Sequence, residues 1–289
     1  MCELLPAEAY QHLRLRDGRS LGYLDCGHPN GKPLFYFHAF RFKKFAPLPH
    51  EIAKGLNIRI IAPDRPGFGL SEFKPGRSLS DWSNDVLELA DALQIDRFAV
   101  LGHSGGGPFA AACAHDIPGR ITRAALVSSL GPHQLPAEAS GVITRLPRSY
   151  RINSRILSWA VNAYLKLSGR FGYSARVLSM TAVPSGAVLA GPPELTQFLT
   201  GLGDGTSRPQ RYGAVWELYL YGQAWGITFE NIPVEVHLWH GEADTVGPPT
   251  LMRFVAESIP NCRPRFLSNE DHFSVISNHM AEILHELTS

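Results

Sequence analysis

Hydrophobic and polar positions alternate along this chain in a way that separates short strand-like runs from longer helix-like ones. His12 to Arg16 and Leu21 to Cys26 flank the turn-rich Asp17-Gly18-Arg19, which predicts an antiparallel hairpin. Pro33 to His38 is an apolar and aromatic run, and Asn57 to Ala62 is rich in β-branched residues, with room for a short helix between them at Pro49 to Leu56. Ser80 to Leu93 carries Trp82, Val86, Leu87, Leu89, Ala90 and Leu93 near helical spacing behind a Ser80 cap. A strand over Arg97 to Gly102, a helix over Gly106 to His115 and a strand over Ile121 to Ser128 continue the alternation. Strands joined through helices require crossovers, and crossovers imply a parallel sheet.

From Pro132 to Gly226 the rhythm breaks. Helix-like pieces around Ile152 to Leu167 and Ala214 to Ala224 lie between Pro- and Gly-rich connectors, and strand candidates largely vanish. The alternation resumes with a strand at Val234 to Trp239, a helix at Pro249 to Ser258, a short strand near Pro264 to Leu267 and a helix from Phe273 to Leu287. The pattern predicts an α/β fold with a mostly parallel central sheet flanked by helices. Its core is residues 1–131 and 227–289, and a helical cap, 132–226, is inserted after the sixth strand, over the strand ends where open α/β sheets bind ligands.

Composition changes this picture little. The 289 residues are 44% hydrophobic and 18% charged, with a net charge of +1, which argues against a nucleic-acid partner or an anionic membrane surface. No signal-like opening and no run of about 18 apolar residues is visible, so the expectation is a cytoplasmic protein outside the membrane. Four cysteines, Cys2, Cys26, Cys113 and Cys262, are scattered with no zinc-like spacing, and no metal or organic cofactor is called for. The expected partner is a small-molecule substrate, and the oligomeric state is left open.

Candidate chemistry concentrates in Gly102-His103-Ser104-Gly105-Gly106. The apolar Phe98 to Leu101 precedes it and Gly107 to Ala112 follows, the strand, sharp turn and helix of a nucleophile elbow. Serine needs a base within hydrogen-bond reach and a third group to orient that base. Twelve histidines compete for the role. His272 stands after the last strand and before the last helix, at the same strand ends as Ser104. The acid expected is Asp244, on the turn that closes the strand ending in Trp239-His240-Gly241, with Glu242 and Asp271 as rivals that read more simply as surface charges. His103 reads as structural, and His240, His38 and His115 suit strand ends or a helix surface.

The chain resembles the α/β-hydrolase superfamily in the Ser, Asp, His order, in the loop Asp64-Arg65-Pro66-Gly67-Phe68-Gly69-Leu70-Ser71, and in the acid turn His240-Gly241-Glu242-Ala243-Asp244. The resemblance covers nearly the whole length and implies a serine hydrolase of the esterase- or lipase-like branch. One departure stands out: where such proteins carry His-Gly after the third strand, this chain reads His38-Ala39-Phe40-Arg41-Phe42-Lys43-Lys44. By position the N–H groups of Phe40 and Gly105 form the oxyanion hole, and one such donor is worth about 3 kcal/mol. Arg41, Lys43 and Lys44 read as solvated charges.

The expected activity is hydrolysis of a small or medium, mostly apolar ester, lactone or thioester through an acyl-enzyme on Ser104. His38, Ala39, His103 and Trp216 are pocket candidates. Other cap aromatics, among them Trp159, Tyr164, Phe171, Tyr173, Phe198, Tyr219, Tyr221 and Trp225, mostly serve packing. Two other readings stand beside it: a lyase or cofactor-free enzyme using the same three residues, and a ligand-binding, receptor-like protein with weak hydrolysis.

Overall fold

The apolar runs become eight strands of one sheet in the computed structural model, which describes residues 10–40, 49–132 and 208–289. The chain passes through β1 (Tyr10–Arg14), β2 (Ser20–Gly27), β3 (Lys32–Phe37), α1 (His50–Gly55), β4 (Ile58–Pro63), α2 (Ser80–Ala92), β5 (Phe98–His103), α3 (Gly107–Asp116) and β6 (Ile121–Val127). After the undescribed stretch come α4 (Arg208–Tyr221), β7 (Val236–Gly241), α5 (Pro249–Ser258), β8 (Cys262–Leu267) and α6 (Ser274–Thr288). The order across the sheet is β1-β2-β4-β3-β5-β6-β7-β8. β1 with β2 and β2 with β4 pair antiparallel, and every later pair is parallel.

Strand side chains alternate between two buried faces, as the period of two requires. Phe35 and Phe37 of β3, Phe98 and Val100 of β5, and Ala124 and Leu126 of β6 join α2, α3 and α5 on one side. Leu34 and Tyr36, Ala99 and Leu101, and Ala125 and Val127 from the same strands meet α1 and α6 on the other. Strands buried on both faces carry no polar alternation, and this is why they read as unbroken apolar runs.

Element boundaries shift by a few residues from the sequence expectation. The first strand begins at Tyr10 rather than His12, and the seventh at Val236 rather than Val234. The last strand starts at Cys262 and runs through Pro264, which an edge strand tolerates because it lacks a neighbour on one side. The helix expected at Ala214 to Ala224 is instead Arg208–Tyr221. The helix expected at Ile152 to Leu167, most of the cap aromatics and the Arg41, Lys43 and Lys44 charges lie outside the described residues.

This topology places the site. From β3 the chain moves outward to β4, then crosses back so that β5 lies on the other side of β3, and β6, β7 and β8 continue in that direction. The direction of winding therefore reverses between β3 and β5, and the crevice at such a switch is where open parallel sheets hold ligands. Phe37 pairs with Gly102 in register, so the segments leaving these two strands, His38-Ala39-Phe40 and Ser104-Gly105-Gly106, emerge side by side.

Candidate active site

β5 ends at His103, and the backbone turns through Ser104 with φ of +54°, a left-handed conformation that costs a non-glycine residue on the order of 1–3 kcal/mol. A short 3-10 turn, Ser104–Gly106, leads directly into α3. The turn is tight enough that a Cβ on Gly106 would lie against the carbonyl oxygens of Phe37 and His38, so nothing larger than glycine fits between elbow and β3. Ser104 is left 7% exposed, and its Oγ stands 2.7 Å from Nε2 of His272.

His272 comes from the loop between β8 and α6, and its Nδ1 lies 2.8 Å from Oδ2 of Asp244 on the turn after β7. The other carboxylate oxygen of Asp244 accepts hydrogen bonds from the backbone N–H groups of Val246 and Gly247, each at 2.8 Å. These donors fix the carboxylate so that Oδ2 faces the imidazole. His240 Nε2, hydrogen-bonded to the Gly247 carbonyl oxygen at 2.6 Å, also lies 3.3 Å from Asp244 Oδ2. Burial holds the His240 imidazole below its usual pKa, with the nearby Asp244 charge acting against that shift. His240 is thus a neutral neighbour of the acid.

The rival carboxylates have other work. Oδ1 of Asp271 accepts the backbone N–H groups of Phe273 and Ser274 at the start of α6, and these hydrogen bonds hold its pKa down. Glu242 pairs with Arg253 at the surface. Among the other pocket candidates, His103 is buried, its ring 6.2 Å from that of His272. His38 is half-buried against the edge of Phe68, and Ala39 follows it, also half-buried. The Trp216 indole N–H donates to the Arg77 carbonyl oxygen at 2.9 Å, and its ring meets those of Phe73 and Tyr219.

Phe40 and Gly105, expected as oxyanion donors, are adjacent: a Cβ built on Gly105 would stand 3.3 Å from the Phe40 nitrogen and 2.7 Å from the Tyr221 hydroxyl. That hydroxyl belongs to a buried charged cluster absent from the sequence reading. Arg65, in the loop after β4, is 0% exposed and donates from Nε and Nη2 to the two oxygens of Glu217 on α4 at 2.6 and 3.0 Å. Its Nη1 donates to the His38 carbonyl oxygen. Arg77 Nη2 reaches Glu217 Oε1 at 3.4 Å, while Arg77 Nε and Nη1 are buried with no hydrogen-bond partner among the described residues. Burial lowers the pKa of Arg77; at Arg65 burial is again the largest single effect, but the charge and hydrogen bonds of Glu217 and the other neighbouring groups together raise it. The sequence signals were present but easily passed over: an arginine inside a glycine-rich loop, and a glutamate four positions before Tyr221 in the otherwise apolar 216–221 stretch of α4.

With the geometry in view, similarity to known proteins becomes informative. A family model described as the alpha/beta hydrolase fold matches residues 42–153. A solved hydrolase from Pseudomonas aeruginosa superposes with a TM-score of 0.64 at 21% identity, covering 98% of this chain and 97% of the other. This chain has the α/β-hydrolase fold. An enol-lactonase from Burkholderia xenovorans superposes with a TM-score of 0.63 at 19% identity, over 96% of this chain and 99% of the other. In sequence, a non-heme chloroperoxidase from Streptomyces lividans is 30% identical over 135 residues, 43% of this chain and 46% of that protein. The chain spans less than half the length of the curated relatives it matches first. Among the described residues no group of three or more His, Cys, Asp or Glu side chains is placed to hold a metal ion, and no helix is long and apolar enough to cross a membrane.

Proposed function

We propose that this protein is a serine hydrolase that cleaves a small or medium, mostly apolar carboxylic ester, lactone or thioester. The observation carrying the reading is the continuous chain from Ser104 Oγ to His272 at 2.7 Å and from His272 to Asp244 at 2.8 Å. His272 takes the Ser104 proton as Oγ attacks the carbonyl, and Asp244 holds the imidazole with Nδ1 protonated and stabilises the imidazolium that forms. The negative oxygen of the tetrahedral intermediate is held by the N–H groups of Gly105 and Phe40. Collapse expels the alcohol or thiol, which takes the proton back from His272 and leaves an acyl group on Ser104. Water, deprotonated by His272, then releases the acid.

In this reading residues 132–226 are the cap that walls the substrate pocket, as an insertion between β6 and β7 above the switch crevice would be. The substrate class rests on the many apolar and aromatic residues of the 132–226 segment and on the fold shared with an enol-lactonase. Cytoplasmic residence is part of the reading, supported by Cys26, Cys113 and Cys262, all free thiols.

The test is a panel of p-nitrophenyl esters of graded acyl length on wild type, Ser104→Ala and Asp244→Asn, together with fluorophosphonate labelling mapped by mass spectrometry. Wild type is expected to label on Ser104 and turn over the shorter esters. Ser104→Ala should fall by on the order of 10⁶-fold, and Asp244→Asn, which leaves His272 in the wrong tautomer, by on the order of 10⁴-fold in kcat. Labelling without ester turnover would favour a lyase on the same residues. Neither labelling nor Ser104-dependent turnover would overturn the hydrolase reading and leave a binding protein.

A further inference from the structure

The acyl-transfer mechanism uses Ser104, His272, Asp244 and two backbone N–H groups, and leaves a buried arginine, glutamate and tyrosine beside them unexplained. We propose that Arg65, Glu217 and Tyr221 are positioning residues that hold the two halves of the oxyanion hole together, a role that rests on the hydrolase reading above.

The two donors of the hole come from separate segments, Phe40 from the loop after β3 and Gly105 from the elbow after β5. The paired strands end at Phe37 and His103, before either donor is reached. The cluster touches both. At one end Arg65 Nη1 donates to the carbonyl oxygen of His38, fixing the peptide from which the Ala39-Phe40 backbone departs. At the other end the Tyr221 hydroxyl donates to the carbonyl oxygen of Gly105 at 2.8 Å. Glu217 joins the ends, accepting from Arg65 at 2.6 and 3.0 Å and from Tyr221 at 3.0 Å. The single phenolic proton lies between Gly105 and Glu217, and it stays on the tyrosine oxygen because burial, and then the Glu217 charge, raise that pKa well above its ordinary value.

Packing follows the same line. The Phe40 ring meets the edges of Tyr221 and Phe68, and the Arg65 guanidinium lies over the Phe109 ring with its carbon 4.8 Å from the centroid. The glycine at 105 leaves room for the Tyr221 hydroxyl and Phe40, both of which a Cβ there would crowd.

Stability alone does not account for such a cluster. Buried ion pairs recover little beyond their desolvation cost, and apolar side chains of similar volume often do as well. What an apolar cluster cannot do is aim hydrogen bonds at two particular carbonyl groups. Two guanidinium groups, Arg65 and Arg77, also face the one Glu217 carboxylate, and that excess positive charge has the sign that favours an oxyanion.

Tyr221→Phe, which removes one oxygen and keeps the ring, is the decisive variant, with Arg65→Lys as the second, each shown to be folded by circular dichroism. Three quantities are measured against wild type: kcat and KM on the best ester, the rate constant for fluorophosphonate labelling of Ser104, and the affinity for an arylboronic acid whose tetrahedral adduct places an oxygen in the hole. Both variants are expected to lose between about 10- and 100-fold in kcat and in labelling rate, short of the 10²–10³-fold loss of a whole donor. KM should change by less than about 2-fold, and boronate affinity should fall by the same factor as kcat/KM. A packing role would lower the melting temperature without this proportionality. A folded Tyr221→Phe protein with kcat, labelling and boronate affinity all within about 2-fold of wild type overturns the inference, and so does a loss confined to KM. Wild type that neither takes the fluorophosphonate nor shows Ser104-dependent ester turnover would instead overturn the hydrolase reading itself.

Discussion

At Asp64 the balance between burial and charge has a consequence for pH. Burial pushes this carboxyl up to about 7, against a hydrogen bond from the Leu70 N–H and the charge of Arg65, both of which lower it. The folded protein therefore holds the Asp64 proton more tightly than the unfolded chain does. The resulting stabilisation is complete below the ordinary carboxylate value of 3.8 and is lost as the pH rises through about 7. Asp64→Asn cannot ionise and escapes that loss. Urea midpoints compared across this window should show the variant gaining on wild type as pH increases, and parallel curves for the two proteins would show that Asp64 is not held protonated.

Among the elements, the elbow joining β5 to α3 depends on close approach more than on conformational freedom. Gly106 has φ of −77°, which any residue adopts, yet a Cβ there would run into backbone oxygens of Phe37 and His38 that cannot swing aside. Gly106→Ala should therefore cost about 2–3 kcal/mol of stability as overpacking and displace the loop carrying Phe40, lowering kcat as well. Gly119→Ala is the control, since a Cβ at that position meets nothing within 4 Å. Guanidinium denaturation of both variants reads the difference, and equal stability would mean the elbow yields more easily than its geometry implies.

For the molecule as a whole, the Arg65–Glu217 pair links segments 152 residues apart and ties α4 to the loop after β4. Removing the carboxylate would leave two guanidinium groups buried beside each other. Glu217→Ala is expected to destabilise the protein by about 3–5 kcal/mol, much of it from the uncompensated charge. Tyr221→Phe should leave stability closer to wild type, because a neutral hydroxyl is removed and both ions keep their partners. A denaturation midpoint for Glu217→Ala near that of wild type would show that water reaches the cluster.

The sequence by itself determined the order of elements, the parallel sheet and the candidates for chemistry, because these are written in local terms. Strands buried on both faces must be apolar throughout, as Phe35 to Phe37 and Phe98 to Leu101 are, and a strand-to-helix elbow needs small residues around Ser104. Chain order also pointed to Asp244 and His272, each just past a strand end. Only the tertiary structure decided which carboxylate faces the imidazole, since Asp244, Glu242 and Asp271 differ less in sequence context than in the partners they find. It alone brought Arg65, Glu217 and Tyr221 together beneath Gly105 and His38. The physical reason is that a buried charge is recognised by its partner, and here the partner stands 152 residues away along the chain, where no local period or motif registers it.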